Sequence, residues 1–214
     1  MKSALVVGAT GLVGGEVVNL LLESTEYESV TVLVRKEINI QHPKLIVKVI
    51  DFLHLETEVQ DKYDDVFCCL GTTIKKAKTK EKFIEVDFTY PVQLAKRTKE
   101  LGAKQFLVIS AIGAKSSSPF FYSKVKGELE ESLKKVNLPS LKIFRPSLLV
   151  GERAEFRLGE KMGEIAGNIL KPFLQGSLRK YRNIHSDKVA ASMYEAALEQ
   201  EMIAVKIYES TDMQ

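Results

Sequence analysis

Short apolar runs alternate with amphipathic segments over the first two thirds of the chain. In the segment after the first run, Val13, Val17, Leu20 and Leu21 recur at helical spacing. The apolar runs predict six strands, at residues 3–7, 30–34, 45–50, 64–70, 105–110 and 140–144. Because strands and helices alternate at this spacing, we predict an α/β fold with a parallel, doubly wound sheet.

Two helix ends can be predicted from single residues. Gly102 follows the helical pattern that closes with "KELG" and is expected to stop that helix. Residues 116–119 read "SSSP", with Ser suited to an N-cap and Pro suited to the first helical position. The next helix should therefore begin just before Tyr122.

The organisation of the chain is that of one domain, residues 1–214, without repeats or a low-complexity linker. The clean alternation is lost after about residue 146, and the basic, glycine-containing segment 146–185 is predicted to be a small C-terminal lid over the substrate. A hydrophobic fraction of 45% and a charged fraction of 28% are typical of a soluble globular protein. We expect a small-molecule substrate as the partner. The sequence does not indicate the oligomeric state.

Charge and hydropathy argue against two other classes of partner. The formal charge of +3 is too small to indicate nucleic-acid binding by itself. No apolar stretch approaches the length of a membrane span, so no membrane association is expected. The N-terminal apolar run is broken by glycines and reads as a first strand, not as a signal peptide.

Cys68 and Cys69 are adjacent in an apolar run, so on a strand they should point to opposite faces and not pair. The chain has three His, none at a ligand-like spacing to these thiols, and no metal site is expected. We interpret both cysteines as buried strand residues of a cytoplasmic protein.

A glycine-rich turn, "VVGATGLVGG", follows the first strand and opens the first helix. Glycine has no Cβ, so the backbone can approach a pyrophosphate closely. The free N–H groups of the first helical turn and the helix dipole would then hold the anion. The sequence therefore predicts dinucleotide binding at this turn, whose residues include Gly8, Gly11, Leu12, Val13 and Gly14.

The residues that follow strands two and three bear on the choice of cofactor. Strand two ends in Arg35 and Lys36 at the point where NAD-binding sites usually place an acid. Two cations there suit a 2′-phosphate and favour NADP(H) over NAD(H), although they could also merely solvate a strand end. Asp51 and Phe52 close strand three and could contact adenine; a turn-forming Asp with a packed Phe would look the same.

A tyrosine and a lysine stand one helical turn apart in "YSKVK", at Tyr122 and Lys126. The spacing is common by chance in a lysine-rich chain, so the pair alone does not establish a proton relay. Its context is more informative, because "GATGLVG", "FCCLGTT", "YSKVKGELE" and "FRPSLLVGER" occur in this order across nearly the whole chain.

Together these motifs resemble the atypical short-chain dehydrogenases/reductases, most closely their Tat-interacting oxidoreductase-like branch. The resemblance implies a Rossmann fold with NADP(H) along the carboxyl ends of the strands. It also implies cofactor contacts at Thr10, Gly11, Arg35, Lys36, Leu70, Gly71, Tyr122, Lys126, Leu149 and Arg157.

The reaction that the resemblance implies is hydride transfer coupled to a proton transfer by Tyr122. A free phenol is a poor relay at neutral pH, and the Lys126 ammonium would stabilise its phenolate form. The third catalytic member would be Ser110, after strand five, followed by Ala111 where relatives often have a second serine. We expect an NADP(H)-dependent oxidoreductase for a small carbonyl or alcohol. The loss of a hydroxyl at Ala111 would instead suit an NADP(H)-binding regulatory or redox-sensing protein.

Overall fold

A parallel sheet forms the centre of the protein in the computed structural model, which describes residues 1–150, 182–201 and 203–214. Within these residues the sheet has seven strands, all paired in parallel. A separate pair joins two further short strands. The strands are Lys2–Val7 (β1), Tyr27–Val34 (β2), Leu45–Val49 (β3), Asp65–Cys68 (β4), Gln105–Ile109 (β5), Leu141–Arg145 (β6), Leu149–Val150 (β7), Ile184–His185 (β8) and Val205–Glu209 (β9). The sheet order is β3-β2-β1-β4-β5-β6-β9, and β7 pairs with β8.

Helices connect the strands and cover both faces of the sheet. They are Leu12–Glu23 (α1), Leu55–Glu58 (α2), Ile74–Ala77 (α3), Lys80–Ile84 (α4), Tyr90–Glu100 (α5), Phe121–Val136 (α6) and Ser186–Leu198 (α7). A π-helical turn, Glu85–Thr89, lies between α4 and α5, and 3-10 turns lie at Phe52–His54 and Ser210–Met213. In the described part of the chain, none of the helices is long and apolar enough to cross a membrane.

Two hydrophobic cores lie on opposite faces of the sheet, which confirms the predicted doubly wound α/β architecture. Helices α1 and α7 pack into one core, and α2, α5 and α6 pack into the other. The alternation predicted for the cysteines is also present, because Cys68 belongs to the second core while Cys69 packs against the first. Both thiols are free.

The predicted stop at Gly102 is confirmed by the geometry at the end of α5. Gly102 has a φ of +86°, and the Ala103 N–H donates to the Thr98 carbonyl at 2.9 Å. This is the Schellman arrangement, in which a residue with positive φ lets the chain turn back on the last helical carbonyls. Glycine adopts that φ without a Cβ penalty.

The start of α6 confirms one prediction and corrects another. The helix begins at Phe121, just before Tyr122, but its N-cap is Phe120, so neither a serine cap nor Pro119 at the first helical position is correct. The Ser118 hydroxyl instead accepts from the N–H of Phe120 at 3.2 Å, just before the helix begins. Ser118 thus stabilises the turn that leads into the helix instead of capping the helix.

The seventh strand of the sheet, β9, was not predicted. It lies at the edge of the sheet beside β6, and its residues are half-buried or exposed. An edge strand can retain polar residues, so "VKIYE" lacks the continuous apolar character that identified the inner strands. Most of the predicted lid, residues 151–181 of the segment 146–185, lies outside the described residues.

Candidate functional site

The glycine turn packs so closely against its surroundings that two of its positions have no room for a side chain. Gly8 has a φ of +88°, and a Cβ there would lie 2.5 Å from the Cys69 carbonyl oxygen. A Cβ on Gly14 would lie 2.2 Å from the Gly8 carbonyl oxygen. The turn therefore packs against both the loop after β4 and the start of α1, and side chains at these two positions would force it apart.

The N-terminus of α1 presents free backbone donors beside this turn. Thr10 and Gly11 are exposed. The N-cap is Gly11, so no side chain caps the helix, and the first turn contains no acidic residue. The N–H groups of the first turn, including those of Leu12 and Val13, have no intrahelical acceptor. Donors of this kind, reinforced by the helix dipole, fit the diphosphate of a dinucleotide.

Arg35 and Lys36 follow the last residue of β2, and both side chains are exposed. Among the described residues, no salt bridge includes either of them. They are accessible to a 2′-phosphate, and the same exposure fits cations that only solvate a strand end. The preference for NADP(H) stays a prediction.

Asp51 and Phe52 have the contacts that the alternative interpretation expected. The Asp51 Oδ1 accepts from the Leu53 N–H at 3.0 Å and so starts a 3-10 turn. Phe52 is 6% exposed and packs against the Tyr90 ring, with 5.5 Å between centroids. Since the Phe52 ring is largely covered by protein, adenine stacking on it stays a prediction with no support from the packing.

Tyr122 and Lys126 lie one turn apart in the first half of α6, in very different environments. Tyr122 is 42% exposed, and its ring packs 5.8 Å from the ring of the buried Phe83. Lys126 is 3% exposed, and its Nζ lies 2.7 Å from the Oδ1 of Asp87, which is 1% exposed on the π-helical turn. The phenol thus faces solvent while the ammonium is held inside by a carboxylate.

The charge of Lys126 depends on two opposing effects. Burial lowers the pKa of a lysine because it desolvates the ammonium. The neighbouring Asp87 carboxylate, with smaller contributions from Tyr122 and Cys68, outweighs that effect and leaves the pKa of Lys126 raised. Cys68 lies in the same region, but burial raises the pKa of its thiol to about 12, so it does not supply a thiolate at neutral pH.

The loop after β4 connects the glycine turn to the lysine. Leu70 is half-buried and Gly71 is exposed. The Thr72 N–H donates to the Asp87 Oδ2 at 2.8 Å, so the carboxylate that pairs with Lys126 also holds this loop. The structure therefore brings the predicted residues Gly8, Gly71 and Lys126 to one edge of the sheet, at the carboxyl ends of β1 and β4.

Sequence reasoning missed Asp87. The sequence did contain a signal for it, because Asp87 lies between the apolar residues Val86 and Phe88 in a segment that leads into a helix. A single acid on a buried face needs a cation or hydrogen-bond donor as its partner. The sequence did not identify that partner, since Lys126 is far away along the chain.

Ser110 has a hydrogen-bond partner away from Tyr122. Its buried hydroxyl donates to the Glu130 Oε1 at 2.6 Å, and Arg145 binds both oxygens of the same carboxylate at 2.9 and 2.6 Å. Glu130 follows Tyr122 by two helical turns, which is about 12 Å along the axis of α6. The catalytic role of Ser110 stays a prediction. Measuring both turnover and unfolding of Ser110→Ala distinguishes a catalytic hydroxyl from one that only stabilises this network.

Two further cofactor contacts were predicted, at Leu149 and Arg157. Leu149 lies in β7, half-buried, and packs against the first hydrophobic core. Arg157 lies outside the described residues.

The positions near Ser110 were also considered as sources of a hydroxyl. Ala111 is buried and has no hydroxyl. The hydroxyl of Ser116, in the loop before α6, donates to Glu131.

Comparison with known proteins identifies relatives over most of the chain. The model of the NAD(P)H-binding family matches residues 8–144. The protein FMP52 of Candida albicans is 32% identical over 94% of this chain and 91% of its own length. The protein HTATIP2 of Rattus norvegicus is 34% identical over 74% of this chain and 67% of its own length. The crystal structure of human epimerase family protein SDR39U1 with NADPH superposes with a TM-score of 0.66 at 18% identity, covering 97% of this chain and 74% of that one, and shows the likeness of fold.

These relatives correct one prediction and confirm another. The FMP52 proteins are named mitochondrial, so the prediction of a cytoplasmic protein is wrong. That prediction rested on two unpaired cysteines, which are equally compatible with other reducing compartments. The resemblance to the Tat-interacting branch is confirmed by the match to HTATIP2. The chain belongs to the NAD(P)H-binding family, alongside FMP52 and HTATIP2.

Proposed function

We propose that the protein is an NADP(H)-dependent oxidoreductase that acts on a small carbonyl or alcohol. The observation that carries the proposal is the placement of an exposed Tyr122 one turn from a buried, charged Lys126. The same edge of the sheet holds the glycine turn and Gly71, so a dinucleotide bound at α1 would extend towards this pair.

Each residue has a distinct role in this proposal. The N–H groups of Leu12 and Val13 hold the diphosphate, and Arg35 and Lys36 hold the 2′-phosphate. The bound nicotinamide would supply or accept the hydride. Tyr122 donates a proton to the carbonyl oxygen in reduction and accepts it from the alcohol in oxidation, while Lys126 stabilises the phenolate.

The cofactor preference gives the first prediction. Titration of the purified protein is expected to show tighter binding of NADPH than of NADH. Arg35→Ala removes a charge-assisted contact to the 2′-phosphate worth about 1.5–3 kcal/mol, so the preference should shrink roughly tenfold or more. Cofactor fluorescence measures both affinities.

Lys188 offers a matched control for this titration, because it is also an exposed cation but lies on α7. Lys188→Ala should leave both affinities unchanged. Equal affinity for NADPH and NADH in the unmodified protein would contradict the assignment of Arg35 and Lys36 to a 2′-phosphate.

A regulatory, NADP(H)-sensing protein is the second candidate function. It is favoured by Ala111, which lacks a hydroxyl, and by the donation of the Ser110 hydroxyl to Glu130. A screen of carbonyl compounds and alcohols, followed through the absorbance of the reduced nicotinamide, decides between the two. Turnover with any of them supports the oxidoreductase. Tight NADPH binding with no turnover across the screen supports the sensor.

A further inference from the structure

Asp87 contacts two parts of the candidate site through its two carboxylate oxygens. Oδ1 lies 2.7 Å from the Lys126 Nζ, and Oδ2 accepts from the Thr72 N–H at 2.8 Å. A Cβ added to Gly71 would lie 3.7 Å from Oδ1, so the exposed backbone of Gly71 runs directly beside the ion pair. One buried acid therefore links the loop after β4 to the lysine of α6.

Burial makes this pair strongly interdependent. The Lys126 and Asp87 side chains are 3% and 1% exposed, so water does not solvate either charge. A buried charge without a counter-ion is costly, and a lysine in that position commonly loses its proton. The ammonium thus depends on a neighbouring negative charge.

The other groups around Lys126 do not replace that charge. Cys68, on β4, remains a thiol because burial raises its pKa to about 12. Tyr122, on α6, is 42% exposed and is the group whose phenolate the ammonium is proposed to stabilise. Glu130, one turn further along α6, is bound by both Arg145 and Ser110. Among the described groups, the Asp87 carboxylate is the one that pairs with the ammonium.

We propose that Asp87 is a positioning residue that keeps Lys126 as an ammonium and seats the Gly71–Thr72 loop against it. The inference rests on the proposed function, because the value of the ammonium lies in stabilising the Tyr122 phenolate. Asp87 touches the lysine and the loop, and acts on the proton relay through them. Without that charge, Lys126 loses its proton at lower pH, and Tyr122 then has no cation beside it.

The test is a titration of the Lys126 amino group by nitrogen-detected NMR, with the signal assigned through its loss in Lys126→Met. In the unmodified protein Lys126 should stay protonated through the neutral range. In Asp87→Asn, whose amide oxygen can still accept from Thr72, deprotonation should occur about one to three pH units lower. Asp87→Glu retains the carboxylate and should restore the titration towards that of the unmodified protein.

Glu85→Gln is the matched control, because Glu85 lies on the same π-helical turn but pairs with Lys82 and Tyr90. It should leave the Lys126 titration unchanged. An equal titration of Lys126 in Asp87→Asn and the unmodified protein would overturn the proposal. If Asp87→Asn does not fold, the unmodified protein still decides, since a neutral Lys126 amine at neutral pH would also overturn it.

The consequence for Tyr122 has its own spectroscopic readout. Tyrosinate absorbance, taken as the difference between each protein and the same protein carrying Tyr122→Phe, should develop at higher pH in Asp87→Asn. If the tyrosinate absorbance of Asp87→Asn developed at lower pH instead, Asp87 would only cancel the charge of Lys126, and the proposal would be refuted. Failure to find turnover in the substrate screen would instead count against the proposed function and leave the lysine titration intact.

Discussion

Tyr122→Phe is expected to lower the turnover of any substrate found in the screen by about 10²- to 10⁴-fold, the usual contribution of a positioned acid or base. The substitution removes the hydroxyl that exchanges a proton with the substrate oxygen. It keeps the ring that packs against Phe83, and the 42% exposure of Tyr122 leaves room for the change without a cavity. The measurement is kcat at saturating NADPH, together with NADPH affinity, which should fall far less than turnover.

Tyr194→Phe supplies a matched control for the loss of a phenolic hydroxyl. The Tyr194 hydroxyl donates to the Ser24 Oγ at 2.7 Å, and Tyr194 packs near the Tyr27 ring, away from Lys126. Its removal should cost some stability and leave kcat unchanged. Full turnover in Tyr122→Phe would show that the proton comes from elsewhere, from water or from another side chain.

The inner strands of the sheet could be predicted because burial on both faces leaves little choice of residue. β1, β4 and β5 are buried along nearly their whole length, and each contains a nearly unbroken apolar run. β9 was missed for the opposite reason. Its Lys206 and Tyr208 both bond to Glu199, so an edge strand here is stabilised by polar contacts that the sequence pattern does not show.

In the candidate site, the features that depend on local sequence could be predicted, and those that depend on contacts between distant residues could not. The glycine turn could be predicted because its requirements are backbone requirements, expressed by Gly8 and Gly14 within one short segment. The pairing of Asp87 with Lys126 could not, because it depends on how the π-helical turn packs against α6. The hydroxyl of Ser110 was assigned from its place after β5, but its orientation depends on Glu130, which sequence spacing does not reveal.

A second buried acid, Asp65, connects four elements at the opposite end of the sheet from the candidate site. Its carboxylate accepts from the Tyr27 hydroxyl at 2.6 Å, from the Gln105 Nε2 at 3.0 Å and from the Lys2 Nζ at 3.1 Å. Lys2 and Gln105 also donate to the Ala197 carbonyl, near the end of α7. Burial raises the pKa of Tyr27, and the Asp65 charge raises it further, so this hydroxyl remains a donor at any physiological pH.

Asp65→Ala is therefore expected to lower the free energy of unfolding by about 3 kcal/mol, because it leaves the buried Tyr27 hydroxyl without an acceptor and Lys2 without its counter-ion. The measurement is urea unfolding, where the midpoint should fall with an unchanged dependence on urea concentration. Asp61→Ala is the control: it removes an acid that pairs with Lys48 at the surface, and an exposed pair contributes about 0–1 kcal/mol. Asp65→Asn keeps an acceptor for Tyr27 and should fall between the two. Equal losses in Asp65→Ala and Asp61→Ala would show that the network around Asp65 contributes no more than a surface ion pair, and that α7 is held by its apolar face alone.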